Sequence, residues 1–175
     1  MEVIADFVVE DDTFLEYQYQ GKSGVIHFSD LNKYWNYATA DDFEGGSFLI
    51  QNNLIIGTML VAQGQGGIIY VWDAEKDELI HISEGSYTVA IALANQTIYN
   101  LALVSNFMTK AHFIIEKRNL GIMDAFFEGE RLTCEIPCTP DDYNGDMNTI
   151  NLAVLSENLC IILNDKEYVV KESVN

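Results

Sequence analysis

Apolar and polar positions along this chain fall into short runs separated by polar turns, and the figure returns about every forty residues. Phe7-Val8-Val9-Glu10-Asp11-Asp12-Thr13-Phe14-Leu15, Phe48-Leu49-Ile50-Gln51-Asn52-Asn53-Leu54-Ile55-Ile56, Ile91-Ala92-Leu93-Ala94-Asn95-Gln96-Thr97-Ile98-Tyr99 and Leu152-Ala153-Val154-Leu155-Ser156-Glu157-Asn158-Leu159-Cys160 all show it. Each is an apolar run, a polar turn and a second apolar run, the pattern of a β-hairpin. The likeness continues downstream, where Gly24-Val25-Ile26-His27-Phe28-Ser29-Asp30 aligns with Gly67-Ile68-Ile69-Tyr70-Val71-Trp72-Asp73.

Extending this reading places strands in four groups. The first covers residues 2–10, 13–20, 23–28 and 34–38, and the second 47–51, 54–62, 67–73 and 78–83. The third covers 87–94, 97–104, 111–117 and 121–128, and the last 148–155, 158–163 and 166–171. The repeat units are therefore 1–46, 47–86, 87–128 and 148–175, with an irregular insertion at 129–147 that holds Pro137, Pro140 and Gly145. Sustained 3.6-residue periodicity is missing, so helix should stay below about a tenth of the residues. A short turn at Asp30-Leu31-Asn32-Lys33-Tyr34-Trp35, capped by Ser29 or Asp30, is the one helical expectation. The fold class is all-β in a single domain over 1–175, built from three and a half to four antiparallel units.

Units of this size resemble the blades of a β-propeller. The segment Gly67-Ile68-Ile69-Tyr70-Val71-Trp72-Asp73-Ala74-Glu75-Lys76-Asp77-Glu78-Leu79-Ile80-His81-Ile82 is similar to one WD repeat, with a strand ending in Trp-Asp, an acidic turn and a further strand. Gly85-Ser86 stands where that family has Gly-His, and no other unit carries Trp-Asp. The resemblance implies a propeller-like arrangement and a role in presenting loops to partners. A β-sandwich or barrel is the alternative, because evenly spaced short strands suit those folds too. The last unit lacks a fourth strand, so closure would need the N-terminus or a homodimer through that incomplete repeat.

Charge narrows the partners. With 27 acidic and 9 basic residues the formal net charge is −18, a field that repels phosphate backbones and anionic lipid and so argues against nucleic acid and membrane surfaces. It attracts a basic protein partner. The segment Met1-Glu2-Val3-Ile4-Ala5-Asp6 has no secretory character, and Cys134, Cys138 and Cys160 form no CxxC pair; a cytoplasmic location with reduced thiols is expected.

Chemistry-bearing patterns are few. Asp141-Asp142-Tyr143-Asn144-Gly145-Asp146-Met147-Asn148 places oxygen ligands at alternate positions, Asp142, Asn144, Asp146 and Asn148, and is similar to the start of a dockerin or EF-hand loop. Ala153 stands where the bidentate carboxylate should be, so the expectation is a turn or at most a weak Ca2+ site. No other cofactor is expected. Gly64-Gln65-Gly66-Gly67 leads into a strand and lacks the helix N-terminus of a phosphate loop. His27, His81 and His112 are isolated, and there is no GxSxG.

Aromatics are plentiful, with Tyr34, Trp35, Tyr37, Tyr70, Trp72, Tyr87 and Tyr99 in or near the expected strands. Most should serve packing, while a rim of Tyr and Trp over an acidic surface would suit a protein partner or a sugar ring. The sequence therefore favours a non-enzymatic binding or scaffold module that presents loops and aromatics to a protein. Its alternatives are an acidic inhibitor or immunity-type protein that neutralises a cationic enzyme or toxin, and an enzyme or binder for a small molecule or carbohydrate.

Overall fold

The computed structural model describes residues 1–6, 12–35, 43–45, 48–61, 67–106, 109–142 and 149–173. Strand dominates. In chain order the elements are β1 (Glu2–Asp6), β2 (Thr13–Tyr19), β3 (Lys22–His27), α1 (Phe28–Trp35), β4 (Phe43–Gly45), β5 (Phe48–Gln51), β6 (Leu54–Val61), β7 (Gly67–Asp73) and β8 (Glu78–Gly85). They continue with β9 (Thr88–Ala94), β10 (Thr97–Asn106), β11 (Thr109–Asn119), β12 (Met123–Asp124), β13 (Glu130–Leu132) and β14 (Cys134–Glu135). A 3-10 turn at Pro140–Asp142 precedes β15 (Ile150–Leu155), β16 (Asn158–Leu163), β17 (Lys166–Val169) and β18 (Lys171–Glu172). All-β is thus the fold class.

The hairpins owe their register to two-residue turns. Gln20-Gly21, Asn95-Gln96, Ser156-Glu157 and Asn164-Asp165 each hold both residues at positive φ, between 48° and 75°. That is the backbone twist matching the twist of paired strands. The flanking pairs Tyr19↔Lys22, Ala94↔Thr97, Leu155↔Asn158 and Leu163↔Lys166 follow directly. Three of these turns contain no glycine. The turn expected at Glu157-Asn158 lies one residue earlier, which leaves Asn158 as the first residue of β16.

The chain divides into two compact units, Met1–Glu84 with Gly121–Glu128, and Gly85–Leu120 with Gly129–Asn175. In the first, the sheet β1-β2-β3 and the sheet β12-β8-β7-β6-β4, with β5 also on β6, share one core. Phe14 of β2 meets Tyr70 of β7 edge to face, ring centres 5.7 Å apart, and Leu15, Ile26, Ile55, Met59 and Ile68 are fully buried around them. Burial of each such aliphatic side chain contributes about 1.5–3 kcal/mol. In the second unit, the sheet β13-β11-β10-β9 and the sheet β15-β16-β17 share a core of Leu101, Phe113, Ile115, Ile150 and Ile161, and β14 pairs with β18. Two sheets packed on one core are the layers of a sandwich, and among the described residues no sheet closes on itself.

Three segments differ from the sequence expectation. The insertion expected to be irregular at 129–147 contributes β13, which pairs with β11, and β14, which pairs with β18. The strand expected at 34–38 is preceded by α1, which runs to Trp35 and buries Phe28, Leu31 and Trp35 at helical spacing; residues 36–38 lie outside the described residues. Its first turn is capped from a distance, since Asp12 Oδ1 accepts the Ser29 N–H at 2.9 Å and Oδ2 accepts the Ser29 hydroxyl. The strand expected at 121–128 is only β12, which pairs in parallel with β8, Met123 opposite Ile82. His81 explains this placement: Ile122 N–H donates to His81 Nδ1 at 3.2 Å, while Ile82 N–H donates to the Ile122 carbonyl at 2.8 Å. With Nδ1 accepting, Nε2 carries the proton and donates to Ser83 Oγ at 2.9 Å.

Candidate functional site

The Trp-Asp pair that prompted the WD resemblance is structural. Asp73 is 5% exposed, and its Oδ1 accepts from Asn53 Nδ2 at 2.7 Å, the Glu75 N–H at 3.0 Å and the Lys76 N–H at 3.3 Å. Burial pushes its carboxyl up, but these donors outweigh burial and hold it below the usual carboxylate range. Asp73 thereby shapes the β7–β8 turn. Trp72 is nearly buried, and its Nε1–H donates to the Tyr17 hydroxyl at 3.1 Å. The Tyr17 hydroxyl in turn donates to Asp77 Oδ1 at 2.5 Å.

Above this chain of hydrogen bonds the first unit opens a cleft of about 490 Å3. Its walls are β3, α1 and the turn from β7 into β8, and its lining includes His27, Asp30, Lys33, Tyr34, Trp72, Asp77 and Glu78. Three carboxylates thus face the space against one ammonium. Lys33 Nζ sits 3.5 Å from Asp30 Oδ1 and 5.4 Å from the centre of the Tyr34 ring, while Lys76 Nζ bridges Asp73 at 3.4 Å and Glu78 at 3.6 Å. Asp77 beside it makes Tyr17 hard to ionise: burial first and the Asp77 hydrogen bond next push its phenol up to about 12. Carboxylates and an aromatic face thus line the same space.

A smaller cleft of about 280 Å3 lies in the second unit, lined by Tyr99, Leu132, Cys134, Leu159, Glu157 and Glu172 among others. Burial pushes the Cys134 thiol up and Glu172 adds to this, so the group stays protonated and is a poor nucleophile. Cys138 is likewise pushed up, by burial and Asp142. All three cysteines are free.

Elsewhere in this unit Glu116 is 4% exposed and collects donors from Ser86 Oγ at 2.5 Å, Asn100 Nδ2 at 2.9 Å and Arg118 Nη2 at 2.9 Å. Burial raises its carboxyl, and the Ser86, Arg118 and Asn100 contacts reverse that, leaving it below the usual range. This is a buried ion pair that ties the turn between β8 and β9 to β10 and β11 through one carboxylate. It faces neither cleft.

Of the expected calcium ligands, Asp142 is described. Its Oδ2 accepts the Thr139 N–H at 2.7 Å and the Thr139 hydroxyl at 2.8 Å, beside the 3-10 turn closed by the Asp142 N–H donating to the Thr139 carbonyl at 3.0 Å. The two bonds to Oδ2 hold its carboxyl below the usual range. Asn144, Asp146 and Asn148 lie outside the described residues, and among the described residues no three His, Cys, Asp or Glu side chains are grouped to hold a metal. His27 and His112 are exposed and His81 is engaged on both ring nitrogens. Among the aromatics, Trp35, Tyr70 and Trp72 are core, Tyr34 and Tyr99 line clefts, and Tyr87 is exposed; Tyr37 lies outside the described residues.

The carboxylates of the larger cleft were visible in the sequence only as an acidic turn and a helix start. Asp30 and Lys33 at i and i+3 carried the one further signal. No helix among the described residues is long and apolar enough to cross a membrane. No family model matches the chain, and no curated protein or solved structure matches it significantly.

Proposed function

We propose that the protein is a non-enzymatic binding module that presents the loops around the α1 cleft, with their carboxylates and Tyr34, to a basic protein partner. The observation that carries this reading is the cleft itself, where Asp30, Asp77 and Glu78 stand around an aromatic wall and one lysine. The formal charge of −18 supports it from outside the site, by steering a cationic surface toward the chain. The same charge favours the second reading, an acidic inhibitor that covers a cationic enzyme; the two differ in whether the partner loses activity when bound. A propeller-like relation among the four hairpin groups belongs to this proposal. In its support, each group supplies an antiparallel hairpin, with β4 and β12 joining the sheet of the second group from the first and third, and face-to-face packing of neighbouring sheets is common to blades and sandwiches. An experimental structure in which the hairpin groups superpose by rotation about one axis would bear that part out.

A photo-crosslinking residue at Leu79, on the cleft wall, tests the binding reading in host lysate at physiological salt. A discrete adduct is expected, and it should vanish when Asp30→Lys and Glu78→Lys reverse the cleft charge. An adduct pattern indifferent to that reversal overturns the assignment of this cleft.

A further inference from the structure

We infer that the α1 cleft reads a lysine side chain of the partner, and that in the free protein Lys33 stands in the place of the incoming ammonium. The inference rests on the binding-module reading and names what the cleft binds. A lysine ammonium is held best by a carboxylate on one side and an aromatic face on the other. Lys33 Nζ has both, Asp30 Oδ1 at 3.5 Å and the Tyr34 ring centre at 5.4 Å, so the chain displays the coordination in its own side chain.

Three features make Lys33 a displaceable occupant. Its side chain is 53% exposed and that of Asp30 33%, and an ion pair of such exposure is weak enough for a competitor to replace. Its four-carbon stem leaves α1 beside the cleft and can swing its charge into water without moving the helix. Asp77 is engaged by the Tyr17 hydroxyl and Glu78 by Lys76, itself an exposed pair; Asp30 is the carboxylate whose ammonium also lies over an aromatic ring, that of Tyr34, which makes it the position at which one ammonium exchanges for another. Free protein therefore keeps the cleft nearer neutrality, and binding releases Lys33 to solvent. The site works as a competition between an internal and an external lysine.

The test is an NMR titration of the 15N-labelled full chain with acetyl-Gly-Lys-Gly-amide, with the Nε-acetyl-lysine peptide and the Gly-Arg-Gly peptide as controls. Saturable shifts are expected at Asp30, Tyr34 and Glu78 with the lysine peptide and not with the acetylated one. Lys33→Gln should tighten binding about two- to five-fold, the scale of an exposed ion pair, Lys33→Arg should tighten it by less, and Asp30→Asn should weaken it by a similar factor. Lys33→Gln binding no tighter than wild type overturns the inference, as does a uniform salt-quenched drift over acidic residues throughout the chain. Equal or tighter binding of the arginine peptide overturns its lysine selectivity. If shifts stay in the cleft while Lys33→Gln is neutral, the displacement fails and the binding-module reading survives; loss of the Leu79 adduct's dependence on cleft charge would sink that reading separately.

Discussion

A Cβ on Gly24 would lie 2.2 Å from Cζ of Tyr17, the residue directly opposite it in the β2–β3 register. Tyr17 covers the space that a side chain at 24 would fill, and this places its hydroxyl between Trp72 and Asp77. The same pairing recurs between β6 and β7, where a Cβ on Gly57 would lie 2.2 Å from Cζ of its partner Tyr70. Each hairpin thus sets a tyrosine ring over a cross-strand glycine, an arrangement that pins register.

Gly24→Ala and Gly57→Ala should each destabilise the protein by about 1–3 kcal/mol, the scale of overpacking. Gly21→Ala makes a useful contrast. Its Cβ would meet nothing within 4 Å, but its φ of +75° strains an L-residue, so the loss there should be about 1–2 kcal/mol without any effect on Tyr17. Urea unfolding of the three variants, with the tyrosine titration below as the reporter of ring position, separates the two causes.

Alkali should expose the Tyr17 network. Its folded pKa, up to about 12, lies above the ordinary value of 10.0, so the stability it brings is fully present below pH 10 and is lost as pH rises from 10 toward 12. A spectrophotometric titration at the phenolate band should contain a late component above pH 10, and Tyr17→Phe should diminish it. A titration unaltered by Tyr17→Phe would contradict the Asp77 contact.

Acid should act through Glu116. Its folded pKa lies below the ordinary 4.5, so its contribution is present above pH 4.5 and is lost as pH falls through the depressed value. Glu116→Gln leaves the Arg118 guanidinium, with a side chain 2% exposed, without its counter-charge. The variant should lose about 3–5 kcal/mol at neutral pH, the cost of breaking a buried pair, and should show a shallower decline in stability between pH 5 and 3 than wild type. Denaturant midpoints across that range measure both.

Calcium should matter little. Asp142 Oδ2 already accepts two hydrogen bonds from Thr139, and position 153 is alanine, so any affinity should be no tighter than millimolar. Thermal midpoints in excess calcium and in chelator should nearly coincide. A micromolar response removed by Asp142→Ala would overturn this expectation.

Much of the strand layout was legible because it is local. Turns such as Asn52-Asn53 and Asn95-Gln96, flanked by alternating apolar residues, set the strand positions, since period-two alternation and left-handed turn residues act within a few positions of each other. The site was far less legible. Asp77 reads as a turn residue until its partner Tyr17, sixty positions earlier, is seen beside it.

By itself, then, the sequence determined an acidic all-β chain and most of its hairpin turns, because each depends on neighbours along the backbone. Tertiary structure alone decided which carboxylates meet. It brought Asp12 to the start of α1, where the sequence offers Ser29 or Asp30 as the cap, and set Met123 parallel to Ile82 through His81 instead of leaving it with the third hairpin group. It also gathered Asp30, Asp77 and Glu78 around one cleft. Such meetings depend on burying apolar faces from distant segments against one another, and the periodicity of one segment carries no information about which other segment will cover it.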